Sequence, residues 1–321
     1  MSTLVPARSD APQPAGPGLG LLPRLGAEAF GSLFISVVAL GVPLFSIPQT
    51  SPLPATLAAG LAVTAAMLAV GHVSGGHFNP IITLGHLVAG RIRAGHAAAY
   101  VLAQLVGAVI SAVALFGVLR TLPAIQDSRT AFDTVAAGFG EHSIVQAPVA
   151  AVILLELLGS LILVAVFLGA TTRGNAARAA APVAVGLAFA GLLQLGQTIG
   201  NLPYNPARAL ASAFFSSGWA IEQVWVFVLT PLTGAAIAGL LFRSFSAVPT
   251  AAVALISDLE DDAEADETDT DDDAEAPAVV PSPAETPADA VPAPATPATS
   301  PTVNAARNSN EAQEFFDGKR S

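Results

Sequence analysis

Two Asn-Pro steps, Asn79-Pro80-Ile81 and Asn205-Pro206-Ala207, stand out in this sequence of 321 residues. Asn suits a helix N-cap, and Pro suits the first helical position, where its missing N–H costs nothing. Each step therefore predicts a helix start, and each is followed by only about eight apolar residues. The Asn side-chain amides can donate to any polar molecule that passes. Arg208, three residues beyond the second Asn, adds a permanent positive charge within an apolar region. Glu28 and Glu156 also lie inside apolar stretches. A carboxylate there is costly unless it faces protein or water.

These residues need elements to position them. Six apolar stretches, at about 25–46, 54–73, 97–119, 147–170, 179–200 and 221–242, have the length of a membrane crossing. Lipid offers no partner to a lone backbone, and the runs are too long and unbroken for barrel strands, so helices are expected. Gly and Ala are abundant in them, as where membrane helices approach closely. The sequence also repeats itself. Ala27-Glu28-Ala29-Phe30-Gly31-Ser32 parallels Leu155-Glu156-Leu157-Leu158-Gly159-Ser160, the Glu-to-Asn separations are 51 and 49 residues, and Gly107-Ala108 matches Gly234-Ala235. The chain thus reads as two halves of three spans, about 24–119 and 147–243. Three is odd, so the second half starts from the opposite side and the repeats are inverted. Half-length helices beginning at Pro80 and Pro206 would then enter from opposite faces and meet N-terminus to N-terminus near the midplane. Two helix N-termini present positive potential to one small volume. Irregular backbone at that depth is tolerated where it lines a wet cavity. The expected result is a water-filled path with central donors and a barrier to cations, protons included.

Charge sorts the rest of the chain. The net charge is −11, yet 12% of residues are charged. Residues 246–321 carry −14, whereas residues 1–245 carry +3. We therefore expect a channel body at 24–243 between a Pro-rich disordered N-terminus, 1–23, and a disordered acidic, Pro/Ala-rich tail, 246–321, whose partner the sequence does not name. Arg8, Arg24, Arg91, Arg93, Arg173, Arg178 and Arg243 fall on one side of the spans, against Arg120 and Arg129 on the other. That asymmetry predicts cytoplasmic termini. The absence of Cys excludes disulfides and thiolate sites, and no basic nucleic-acid footprint is present. The N-terminus lacks the form of a secretory signal. His72, His77, His86 and His96 bring no third ligand near in sequence, so no metal and no cofactor are expected. No nucleophile-base pair suggests an enzyme.

On these residues the sequence resembles the aquaporin or major intrinsic protein family. The resemblance covers about 24–243: Ala27-Glu28, Ser74-Gly75-Gly76-His77-Phe78-Asn79-Pro80, Tyr100 with Ala103-Gln104-Leu105-Val106-Gly107-Ala108, Asn205-Pro206-Ala207-Arg208, and Pro231 with Gly234-Ala235. It implies an all-α membrane fold of six transmembrane helices and two re-entrant half-helices. It also implies a homotetramer in the plasma membrane that passes water or small neutral solutes such as glycerol, urea or metalloid acids. Within that resemblance Glu28 and Glu156 hold the half-helix loops, His77 supports the first loop, and His72 sits near the cytoplasmic mouth. Arg208 filters charge at a constriction completed by Ala59, Leu193 and Leu202, found by their spacing from the two Asn residues. Water-selective members usually carry an aromatic and a His where this chain has Ala59 and Leu193, which implies a wider, more apolar mouth. Other positions disagree, since Ala209 replaces the Asp usual in glycerol-conducting members, and Ala213 and Phe227 look like water channels. Ile81 replaces the usual Ala of the first motif and is expected to alter half-helix packing and central width. The alternatives are a strict water pore and, from another class, a proton-coupled transporter using Glu28 and Glu156.

Overall fold

The computed structural model describes residues 19–46, 53–172 and 174–246. They lie in the first of two units of the chain, Met1–Asp258, and the second, Leu259–Ser321, is outside the described residues. The disorder expected for 1–18 and 247–321 concerns residues outside those described. Residues 21–23 and Ser246 differ from expectation, because the first helix already begins at Leu21 and the last runs to Ser246. Pro23 is tolerated there, since the first-turn N–H groups have no intrahelical partner.

Among the described residues ten α-helices form in order: α1 Leu21–Phe45, α2 Ala55–Ser74, α3 Pro80–Val88, α4 Ala94–Leu119, α5 Ser128–Asp133, α6 Val149–Ala170, α7 Ala181–Gly200, α8 Pro206–Phe215, α9 Gly218–Gln223 and α10 Val226–Ser246. Six of the helical stretches are long and apolar enough to cross a membrane, and α3 and α8 are the short ones that follow the Asn-Pro steps. The sixth span departs from the expected 221–242. Its first residues form the separate turn of α9, and α10 starts only at Val226. The connection between the halves is also more ordered than a plain link. Arg129 in α5 donates to the Ser216 carbonyl at 2.7 Å, and Asp133 accepts from Ser217 N and Oγ at 2.8 and 2.7 Å, tying α5 to the end of α8.

Packing repeats between the halves. α1 lies on α4 and α2, α6 lies on α10 and α7, and α2 crosses α7 at the join. Glycine sets these crossings. A Cβ on Gly107 would strike the Ala29 carbonyl, and one on the equivalent Gly234 would strike the Leu157 carbonyl. Gly60 and Gly186 face each other in the same way where α2 meets α7. Such backbone approach is how apolar helices gain contact when no hydrophobic effect separates them from lipid. Apolar side chains on the outward faces, including Leu102, Leu158, Leu187 and Leu240, are exposed, as the solvent of this fold is lipid. The half-helices α3 and α8 pack chiefly on α10 and α4, while side chains of α1, α2, α6 and α7 line the central cavity beside them.

Candidate functional site

Asn79 and Asn205 are the N-caps of α3 and α8. Asn79 Oδ1 accepts from Ile81 N at 3.1 Å, and Asn205 Oδ1 accepts from Ala207 N and Arg208 N at 3.0 and 3.3 Å. With each oxygen held by its own helix, the amide nitrogen is the group left to face outward. Both Asn residues line one cavity of about 20 Å³, room for a water molecule. Asn79 Nδ2 also donates to the Tyr204 carbonyl at 2.9 Å, so the two helix starts meet as their sequence symmetry required. The preceding residues Phe78 and Tyr204 both have positive φ, 54° and 46°. That is uncommon for aromatic residues and persists where surrounding structure enforces it. Here Gly31 and Gly159 leave space that only a missing Cβ provides, and each aromatic ring fills it. Of the remaining motif residues, Pro80, Pro206 and Ala207 are buried beside the caps. Ile81 is buried at 0% exposure in the core between half-helix and spans, while its neighbour Ile82 lines the cavity. The expected effect of Ile81 on packing therefore has a place in the core, but not on the cavity wall.

The two carboxylates sit behind these starts. Glu28 accepts from Ser74 Oγ at 2.5 Å, His77 N at 3.1 Å, Phe78 N at 2.7 Å and Gln104 Nε2 at 2.7 Å. His77 shares a hydrogen bond with Thr83 Oγ1 at 3.1 Å, and Thr83 accepts from Gln104 Nε2 at 2.9 Å. The second half is poorer. Gly200 and Pro231 stand where Ser74 and Gln104 stand in the first. Glu156 accepts from Tyr204 N at 3.2 Å, and its Oε2 has no partner in good hydrogen-bond geometry among the described residues.

Ala59, Leu193 and Arg208, grouped by the family resemblance, line one cavity of about 30 Å³ at the end where α1 finishes. Ala39, Pro43, Ala55, Thr56, Gln197 and Asn201 complete its wall. Leu202 is not on this wall. Its side chain packs on Gly196 and Gly200, and its carbonyl accepts from Arg208 Nη2 at 3.4 Å. The residue thus meets the mouth through its backbone, because the loop after α7 turns its side chain into the protein. Arg208 is 4% exposed.

At the other end, where α1 begins, a vestibule of about 630 Å³ is lined by Arg24, Arg91 and Arg178 together with Ser74, His77 and Thr172. Arg91 is anchored there, donating to the Leu168 carbonyl at 2.9 Å and lying 5.6 Å above the Phe242 ring. His72 is exposed and adjoins the vestibule without itself being on its wall. Gly71 takes the lining position, and one residue of helix turns His72 away from it. His86 lines the vestibule and lies against His77, with ring centroids 4.2 Å apart and the rings tilted by 36°. Phe167 and Phe189 were missed by sequence reading and line the central cavity. A signal existed for Phe189, which lies one helical turn from Leu193 on the same face.

Comparison with known proteins agrees with this geometry. Residues 21–242 match the family described as Major intrinsic protein. The chain is 34% identical to Aquaporin Z of Bradyrhizobium diazoefficiens over 238 residues, 72% of this chain and 96% of that one. It is 34% identical to Aquaporin Z of Photorhabdus laumondii over 232 residues, 70% and 97% of the two chains. Among solved structures, the aquaglyceroporin from Plasmodium falciparum superposes with a TM-score of 0.59 at 19% identity, covering 74% of this chain and all of that one, which supports the fold. With six membrane-length helices, paired Asn caps and a match along the whole described body, the chain belongs to the major intrinsic protein family, a family of channels rather than enzymes.

Proposed function

We propose that this protein is a passive transmembrane channel for water and small uncharged solutes such as glycerol, urea or metalloid acids, and that it excludes ions and protons. The observation that carries the reading is the central cavity. Asn79 and Asn205 both line it, and the remaining wall is largely apolar. A neutral molecule there exchanges water hydrogen bonds for the two amides. A cation meets two helix N-termini and then Arg208, with no acidic side chain on either cavity wall among the described residues. In this reading Glu28 and Glu156 hold the loops, Arg208 filters charge, and Ala59 and Leu193 keep the mouth wide. The chain would act as a homotetramer in the plasma membrane with both termini cytoplasmic.

The small central cavity, about 20 Å³, favours a second reading, a strict water pore. Stopped-flow light scattering on proteoliposomes with water, glycerol, urea and arsenite separates the two. Fast water flux without solute flux supports the strict pore. Solute flux that survives Ala59→Phe with Leu193→His unchanged would sink the assignment of the mouth. A proton-coupled transporter would instead saturate and respond to a pH gradient. The four hydrogen bonds that Glu28 accepts favour a fixed support over a proton carrier.

A further inference from the structure

The central cavity and the wide vestibule have two lining residues in common, His77 and Phe167. Whatever moves between the two spaces must pass these side chains. Three rings gather at that boundary. Phe167 lies edge-on to His77 with centroids 6.0 Å apart and to His86 with centroids 5.2 Å apart, and the two His rings are 4.2 Å apart. The change of space across the boundary is large, from about 20 Å³ to about 630 Å³.

The three rings are held differently. His77 is fixed through Nδ1 to Thr83 Oγ1 at 3.1 Å, and His86 through Nδ1 to the Ile82 carbonyl at 2.9 Å. Both belong to the first half, on or just before α3. Phe167 comes from α6 in the second half and is held by packing alone, since its side chain has no polar atom. Its exposure is 1%, so the ring is packed on nearly all sides. The opposite mouth is ringed by the smaller Ala59 and by Leu193.

We propose that Phe167, set against the anchored pair His77 and His86, is a specificity-determining residue. In this proposal size selection lies at an inner constriction on the vestibule side of the Asn pair, as well as at the mouth near Arg208. The proposal rests on the channel reading above. A solute larger than water has to displace the Phe167 ring, whereas water passes beside it.

The test uses the full-length chain in proteoliposomes, with stopped-flow permeabilities for water, urea and glycerol. Phe167→Ala is expected to raise glycerol permeability about tenfold, the scale on which apolar walls discriminate by size, with water permeability changing far less. Phe167→Trp enlarges the ring and is expected to lower urea and glycerol permeability relative to water, and it keeps the proposal testable if the Ala variant does not fold. His86→Leu removes the anchor of one ring and is expected to shift the solute-to-water ratio in the same direction as Phe167→Ala. Folded variants at Phe167 with the parent's solute-to-water ratios would overturn the inner constriction while leaving the channel reading intact. A parent protein that passes neither water nor solute would instead defeat the channel reading.

Discussion

The side-chain amide of Asn79 donates to the backbone carbonyl of Tyr204, 125 residues further along the chain, at 2.9 Å. This bond joins the starts of the two half-helices and so joins the two repeats at their centre. It also places a carbonyl, a partial negative charge, between two helix N-termini whose positive ends would otherwise face each other unscreened. No matching bond runs from Asn205 to the carbonyl of Phe78 among the described residues, so the junction is not symmetric.

The same asymmetry governs the carboxylates. Glu28→Ala would leave two backbone N–H groups, Ser74 Oγ and one bond of Gln104 unmet, whereas Glu156→Ala would leave Tyr204 N. Buried donors without acceptors cost about 1–3 kcal/mol each. We expect Glu28→Ala to destabilise by about 3–5 kcal/mol and Glu156→Ala by about 1–3 kcal/mol. Thermal unfolding in detergent measures both. Equal losses would show that hydrogen bonds to the loops are not what these residues contribute.

Helix crossing depends on where a glycine sits and not on how many there are. In α4, a Cβ on Gly107 would collide with the Ala29 carbonyl, while one on Gly117 would meet nothing within 4 Å. Gly107→Ala is expected to cost about 1–3 kcal/mol through overpacking. Gly117→Ala should be neutral or stabilise by about 0.5–1 kcal/mol, the helix preference for Ala over Gly. Unfolding midpoints of the two variants that fall together would contradict the packing described for α1 and α4.

Arg208 tests the charge barrier. Removing a unit charge near a permeating cation lowers the electrostatic barrier by about 1–4 kcal/mol. Arg208→Val is therefore expected to raise sodium and proton leak about tenfold or more, read with sodium-sensitive and pH-sensitive dyes in liposomes. The half-helix N-termini remain, so leak should stay far below water flux. An unchanged leak would locate the whole barrier at the Asn pair.

The six spans, the inverted repeat, the two short helices and the meeting of Asn79 with Asn205 could be read from the sequence alone. They follow from strongly local or symmetric features: apolar runs long enough for a bilayer, a cap residue before Pro, and motifs recurring at near-equal spacing. Ala59, Leu193 and Arg208 were reached through the family resemblance, which assigns them by their distance from an Asn, a distance that helices preserve. Only the tertiary structure decided which way other side chains face. It turned Leu202 inward, set Gly71 on the vestibule wall, buried Ile81 in the core, and brought Phe167 from α6 against His77 and His86. The reason is physical. In spans that are apolar on every face, hydrophobic periodicity does not mark the inner side, and the packing of helix on helix has to choose it.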